Sequence, residues 1–430
     1  MRVAMYTLGC KVNQYETQAM EQTLRTMGHQ VVDLFDEADA YVVNTCSVTA
    51  VSDQKSRQVI HRLRREHPGA IVAVCGCYPQ THPEEARALG VDLIAGTGDR
   101  AGFLTLLERT VQERRPLEAI DRAFDRRSFE VLRAGGAEGR TRAMLKVEDG
   151  CVNFCTYCII PYARGPVRSA PLEVAVEQAV GLRQAGYREI VLTGIEISSW
   201  GRDLKTGQSL IDLMEALSAA VPEVRLRLGS LEPRTVTEEF CRRAAELPNL
   251  CPQFHLSLQS GCDETLHRMN RKYDTARYQE SVDLLRRFFR RPAVTTDLIT
   301  GFPEETEEEF SKTLDFLRRC GFAQMHIFPY SRRPGTPAAD MAQVPAAVKE
   351  ERARRASAVA AELRAAYLSG CVGEVYPVLF EQPRGGAFFG RAPNYMEVLA
   401  AGEDLHNAIR LVRITGTDGK TLFGEIEETA

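Results

Sequence analysis

The sequence predicts an α/β protein in three parts: a Rossmann-like N-terminal domain, an incomplete (β/α)6 barrel and a small antiparallel β-barrel. Three observations predict this. Short β-branched runs alternate with helical stretches over residues 1–100, and a second alternation with six candidate strands runs from about residue 143 to 330. Four strand-like runs with no helices between them end the chain. The length of 430 residues suits about three domains. At 44% hydrophobic and 26% charged residues, with 32 Gly and 20 Pro, the composition excludes a disordered or collagen-like chain. No apolar run approaches the ~18 residues of a membrane span, and MRVAMYTLGC does not read as a secretory signal. A cytoplasmic protein with no membrane partner is expected. The net charge of −4 argues neither for nor against nucleic acid.

In the N-terminal part, RVAMYTLGC reads as a strand, ETQAMEQTLRTMG as a helix ending at Gly28, and AYVVNTCS as a second strand. SDQKSRQVIHRLRREH reads as a basic helix, and AIVAVCGC and VDLIAG as the third and fourth strands. Such units build parallel sheets, whose ligands bind at the carboxyl ends of the strands. Cys10, Cys46 and Cys77 each stand where a strand stops, so three thiols distant in sequence can converge on one edge. Residues 116–140 mix charge with Gly-Gly and read as a linker between a first domain (1–115) and the barrel (141–368). The barrel strands expected are AMLKVE, EIVLTGIEI, VRLRLGSLE, FHLSLQS, AVTTDLITG and FAQMHIFPY. In such barrels chemistry sits at the C-terminal ends of the strands. A long Ala-rich charged helix ends at Gly370, and residues 369–430 form the last domain.

Twelve cysteines carry more information than any other count. In a reducing compartment clustered thiols bind metal or do redox work rather than form disulfides. Cys241, Cys251, Cys262, Cys320 and Cys371 are scattered and read as buried small hydrophobes. Cys151-Val-Asn-Phe-Cys155-Thr-Tyr-Cys158 is different: a CxxxCxxC loop directly after a predicted strand. Three thiolates so spaced can hold three irons of a [4Fe–4S] cube and leave the fourth open. A structural zinc would need a fourth ligand, and neither Cys nor His lies within ten residues of the loop.

CxxxCxxC on a six-stranded partial barrel resembles the radical S-adenosylmethionine (SAM) enzymes. The resemblance implies that the open iron chelates SAM, whose reductive cleavage gives a 5′-deoxyadenosyl radical. It also implies that Tyr157 lies against the SAM adenine and that Thr193 and Gly194 contact its amino group. Asp297-Leu-Ile-Thr-Gly301-Phe-Pro-Glu-Glu-Thr306 resembles a further shared barrel segment. TLGCKVNQYET, VVNTCSVT and CGCYPQ resemble the three cysteine segments of the methylthiotransferases, which hold a second [4Fe–4S] cluster. Residues two apart in a strand share a face, so geometry alone leaves both Cys75 and Cys77 open; the resemblance selects Cys77. The catalytic and metal-binding set is then Cys10, Cys46, Cys77, Cys151, Cys155 and Cys158. The C-terminal domain resembles a TRAM domain, an OB-like RNA-binding barrel. The chemistry implied uses one SAM to methylate cluster-bound sulfur and a second to activate an unreactive carbon, with the cofactor supplying what acid, base and nucleophile cannot.

Family members act on isopentenyl-adenosine in tRNA, on N6-threonylcarbamoyladenosine beside the tRNA anticodon, or on an aspartate of a ribosomal protein. LGCKVNQYE, PYARGPVRS after residue 160, Arg142–Lys146 and PYSRRPGTP after residue 328 resemble the threonylcarbamoyladenosine group. The partners implied are tRNA, a flavodoxin- or ferredoxin-like electron donor and a sulfur source, with a monomer as the simplest state. A tRNA-binding surface needs cations: Arg164, Arg168, Arg268, Arg271, Lys272, Arg332 and Arg333 follow barrel strands, and Lys55–Arg65 form a basic helix. Each also reads as solvated surface. Residues 371–430 fit poorly, with five Lys and Arg against nine Asp and Glu. Phe388, Phe389 and Tyr395 read as core aromatics or as platforms for bases. A non-catalytic iron–sulfur protein that binds RNA or senses redox state is the alternative from another class, and it predicts no SAM cleavage.

Overall fold

The computed structural model describes residues 1–134 and 139–427. Its N-terminal domain is one parallel sheet in the order β2-β1-β3-β4-β5-β6. The strands are β1 (Arg2–Thr7), β2 (Gln30–Val32), β3 (Ala40–Thr45), β4 (Ile71–Gly76), β5 (Leu93–Ala95) and β6 (Leu117–Ala119). Every residue of β3 and β4 is buried, as befits strands covered on both faces. Val42, Ala73 and Cys75 pack into one core layer, and Val43, Val74 and Tyr78 into the other. The three-residue strands β2 and β6 are too short to show a period and were not expected. Strand β6 lies inside the stretch read as a linker, where Leu117 pairs with Leu93. Residues 135–138 of that stretch fall outside the described residues.

The middle domain supplies the six parallel βα units expected, with the third expected strand, VRLRLGSLE, broken into two short ones. Its wall runs through β7 (Arg142–Lys146), β10 (Glu189–Thr193), β11 (Arg225–Leu228), β12 (Ser230–Leu231), β13 (Gln253–Leu256), β14 (Ala293–Thr300) and β15 (Gln324–Pro329). It forms two sheets, β11-β10-β7 and β12-β13-β14-β15. They part at Gly229, where a Cβ would lie 2.8 Å from the Leu192 carbonyl oxygen. One hydrophobic core spans both sheets. Between the first two units, β8 (Glu148–Asp149) and β9 (Arg168–Ser169) pair antiparallel and bracket the CxxxCxxC loop.

The C-terminal domain is a closed barrel of β16 (Val375–Arg384), β17 (Ala387–Arg391), β18 (Glu397–Ala400), β19 (Ile409–Thr417) and β20 (Leu422–Ile426), in the order β16-β17-β18-β20-β19. Its pairs are antiparallel except one: β18 and β20 run parallel, with Val398 opposite Leu422. Among the described residues no helix is long and apolar enough to cross a membrane.

Candidate active site

The first cysteine triad is assembled on the carboxyl edge of the N-terminal sheet. Cys10 follows β1 and begins the helix Lys11–Thr26, Cys46 follows β3, and Cys77 follows β4. Two glycines make the convergence sterically possible. Gly9 has φ +107°, and a Cβ there would stand 2.6 Å from the Cys46 Cβ and 2.7 Å from its Sγ. Gly76 has φ +104°, and its Cβ would meet the Thr45 carbonyl oxygen at 2.5 Å. Asn13 ties the loops together, its Nδ2 donating to the carbonyls of Leu8 and Thr45, both at 2.9 Å. Cys75, by contrast, is buried in the apolar core of β4. Replacing Gly9 by alanine is expected to push Cys46 out of place and remove about half of the iron bound by the reconstituted protein, with the CxxxCxxC site intact; iron and sulfide analysis checks it.

The second triad hangs from the top of the barrel. Cys151 N–H donates to the Gly165 carbonyl at 3.0 Å, Thr156 Oγ1 to the Arg268 carbonyl at 2.8 Å, and Asn270 Nδ2 to the Phe154 carbonyl at 2.9 Å. Arg271 places Nη1 3.2 Å from the Cys155 Sγ. Among the described residues no three His, Cys, Asp or Glu side chains close on a single metal-ion position. The donor chemistry of the two triads fits a metal cluster. Burial pushes the thiols of Cys77, Cys151 and Cys158 up to about 12, so as thiolates they need a cationic partner such as iron.

Three of the arginines that read either as RNA contacts or as solvated surface are instead built into the protein. Arg164 is fully buried and Arg168 and Arg333 nearly so. Arg164 pairs with Glu16 and donates to the Asn13 Oδ1 at 2.8 Å, six residues after Cys158 and three after Cys10. Glu16 also accepts from Lys146 Nζ and Arg100 Nη2, both at 2.8 Å, and Lys146 continues to Asp149 at 2.8 Å. Burial alone would raise the Glu16 carboxyl, but Arg164, Lys146 and Arg100 outweigh it and hold it well below the usual carboxylate range. Arg100, Lys146, Arg164 and Arg168 face Glu16 and Asp149, with Glu130 also against Arg100, and the Arg164 charge reaches the Cys77 thiol. Arg333 donates to Ser47 Oγ at 2.6 Å and pairs with Asp53, beside Cys46, while its charge also reaches Cys158. Both triads are thereby referenced to one buried interface. Arg268 pairs with Glu309; Arg332 and Lys272 are exposed, as are Lys55, Arg64 and Arg65 of the basic helix.

The other residues singled out from sequence divide. Tyr157 packs edge-on to Phe302 at 6.4 Å beside Met269 and Tyr330. Thr193 ends β10 buried, and the space a Cβ would need at Gly194 holds the Glu148 Oε2 at 2.8 Å, so that glycine admits a buried carboxyl. Of the stretch 297–306, Asp297 faces the barrel lumen 3.3 Å from His255, Glu305 pairs with Arg352 at 2.9 Å, and Thr306 caps the helix Glu307–Cys320. Phe389 is core, as one reading held.

Two cavities open off the lumen. One of about 400 Å³ lies between all three domains, lined by Lys11, Gln14, Arg142, Val191 and Glu381 among others. One of about 380 Å³ lies inside the barrel, against His255, Asp297 and His326. Lys11, Arg227 and Tyr395 line both. Tyr395 is clasped by cations, with the guanidinium carbons of Arg391, Arg227 and Arg142 at 4.2, 4.5 and 5.4 Å from its ring centre. Burial would raise its phenol, yet Arg142 and Arg391 lower it below the ordinary tyrosine value. This layer was not expected. For the buried network between the triads a partial signal was present in NQYE after Cys10, where Asn13 and Glu16 stand three apart on one helix face.

Residues 2–96 match the Uncharacterized protein family UPF0004, and residues 145–317 the Radical SAM superfamily. The chain is 41% identical over 421 residues to the threonylcarbamoyladenosine tRNA methylthiotransferase MtaB of Bacillus subtilis, covering 96% of this chain and 93% of that protein. It is 39% identical to the protein of the same name from Aquifex aeolicus, covering 82% and 86%. Among solved structures it is similar to the radical S-adenosylmethionine methyltransferase TsrM of Kitasatospora setae, with a TM-score of 0.59 at 16% identity, covering 89% of this chain and 79% of that one. That last likeness concerns the fold.

Proposed function

This chain belongs to the radical SAM methylthiotransferase family, among the threonylcarbamoyladenosine tRNA methylthiotransferases, and from that premise we propose that its two cysteine triads are the two [4Fe–4S] sites of the reaction, serving one cavity between the domains. The product is the 2-methylthio derivative of N6-threonylcarbamoyladenosine in tRNA. When bound, the clusters and SAM supply the radical and the methylthio group that no side chain could. The protein's own residues do the rest. Cys151, Cys155 and Cys158 hold the SAM-cleaving site, with Arg271 against Cys155. Cys10, Cys46 and Cys77 hold the second site, with Gly9 and Gly76 giving the room. Asn13, Glu16 and Arg164 fix the two against each other by buried bonds, which is the positioning a two-site transfer needs. Tyr157, Thr193 and Gly194 serve the SAM pocket.

The observation that carries this reading is the shared buried network joining both triads. Phe124, Phe154 and Tyr162 form an exposed aromatic cluster at the CxxxCxxC loop, which suits approach of a flavodoxin- or ferredoxin-like donor. The exposed Lys55, Arg64 and Arg65 suit the tRNA backbone. The enzyme acts as a cytoplasmic monomer with a TRAM domain over residues 369–430, and a separate sulfur source renews the methylthio sulfur. The test is anaerobic reconstitution with iron, sulfide, dithionite and SAM, followed by nucleoside mass spectrometry of threonylcarbamoyl-modified tRNA. A methylthio mass gain on that nucleoside is expected. A gain on isopentenyl-adenosine or on a ribosomal-protein aspartate instead would overturn the substrate.

A further inference from the structure

The substrate just assigned carries a feature that plain adenosine lacks. Its N6 group ends in the carboxylate of threonine, an anion that must leave water to enter the site. A pocket that admits it needs a cation with hydrogen bonds to give, because a buried charge without a partner is strongly disfavoured. The layer shared by the two cavities holds several cations, and their partners separate them. Arg227 is spent on the protein: its Nε and Nη2 donate to Glu189 at 2.7 and 3.0 Å, and its Nη1 to the Pro393 carbonyl at 3.0 Å. Arg142 donates to the Tyr395 hydroxyl at 2.9 Å and to Glu381 at 3.2 Å. Lys11 and Arg140 have no hydrogen-bond or ion-pair partner among the described residues and are exposed to solvent; Arg140 lines only the first cavity, whereas Lys11 lines both.

We propose that Lys11 is the specificity residue for the threonyl carboxylate, receiving it at the waist where the two cavities meet, with Arg227 and Tyr395 as the fixed wall behind. The inference rests on the methylthiotransferase reading above. Three features support it together. Lys11 lines both chambers, so a ligand filling either one meets this residue. Arg142 and Arg227, which line the cavities with Lys11, are paired with Glu381 and Glu189, so neither of those carboxylates is left to pair with Lys11. Lys11 also follows Cys10 directly, so the anchor for the substituent is fixed to the second cysteine site by a single peptide bond. A lysine is suited to this task as a compact ammonium on a flexible stem. An apolar isopentenyl group would leave that ammonium unpaired, and discrimination by an unsatisfied polar group is strong.

The test uses the reconstituted holoenzyme and two anticodon stem-loop RNAs, one bearing threonylcarbamoyladenosine and one its carboxamide, in which the carboxylate is neutral. Binding is measured anaerobically by fluorescence anisotropy without SAM, so the readout does not depend on turnover. The wild type is expected to prefer the acid by about 10- to 100-fold, as for a hydrogen bond to a charged group. Lys11→Met is expected to bring the acid down to the carboxamide's affinity and leave the carboxamide unchanged, while Lys11→Arg restores part of the preference. Iron and sulfide contents equal to wild type show that the neighbouring site is loaded. Equal binding of both RNAs by the wild type, or an equal loss on both in Lys11→Met, would overturn the proposal. If the wild type methylthiolates the carboxamide RNA as well as the acid, this inference falls and the function stands. If it methylthiolates neither, the functional reading itself has failed.

Discussion

Cys151→Ala is expected to abolish 5′-deoxyadenosine formation, while Cys10→Ala keeps it and loses only the methylthio product. The asymmetry follows from where the two thiols stand. Cys151 starts the loop clamped between Gly165 and residues 268–270, on the barrel side of the interface. Cys10 begins a helix of the N-terminal domain, on the other side. Loss of an outer-shell partner in a metal site typically costs about 10–100-fold in affinity or activity, so loss of a ligand is expected to exceed about 100-fold. Dithionite, SAM and substrate RNA are incubated with each variant, and 5′-deoxyadenosine and methylthio-nucleoside are counted separately. Loss of both products in both variants would mean that the triads form one functional unit, and retention of methylthio product in Cys10→Ala would remove the first triad from the reaction.

The parts of this site that sequence makes legible are those encoded locally. CxxxCxxC carries its meaning in its own spacing, and Cys10, Cys46 and Cys77 could be placed because each closes a β-branched run, so one rule about strand ends put all three on one edge. The barrel's six units were readable for the same reason. The buried charge network was not, because its members lie far apart: Glu16 and Arg164 are separated by 148 residues and each alone resembles a surface side chain. An arginine after a strand reads as an RNA contact until the fold shows a carboxylate from another domain against it. Tyr395 fails similarly. It sits in a turn with φ +68° among three arginines brought from β7, β11 and β17. His255 and Asp297 alternate along their strands as a two-sided strand should, but only closure of the wall decides which side becomes the lumen.

Glu16→Ala is expected to be the most damaging substitution outside the cysteines, although Glu16 touches neither triad. Its two oxygens accept from Arg100, Lys146 and Arg164, drawn from three elements of two domains. Removing it leaves those cations buried with Asp149 as the remaining carboxylate against Lys146 and Arg164. Breaking a buried pair by deleting one partner costs about 3–5 kcal/mol, which for a chain of this length corresponds to a fall in Tm of about 3–6 °C. Two measurements separate this from simple loss of packing. Combining Glu16→Gln with Lys146→Met should cost less than the two changes added, because each removes the other's stranded charge. The second is the acid limb. The Glu16 carboxyl is held well below the ordinary range, so its contribution is complete above about pH 4 and is lost as pH falls through the depressed value. Wild type should therefore lose stability on acidification more steeply than Glu16→Gln, and the two curves should converge at low pH. Parallel curves would mean that Glu16 contributes shape rather than charge, and the domains would then be held by their apolar contacts.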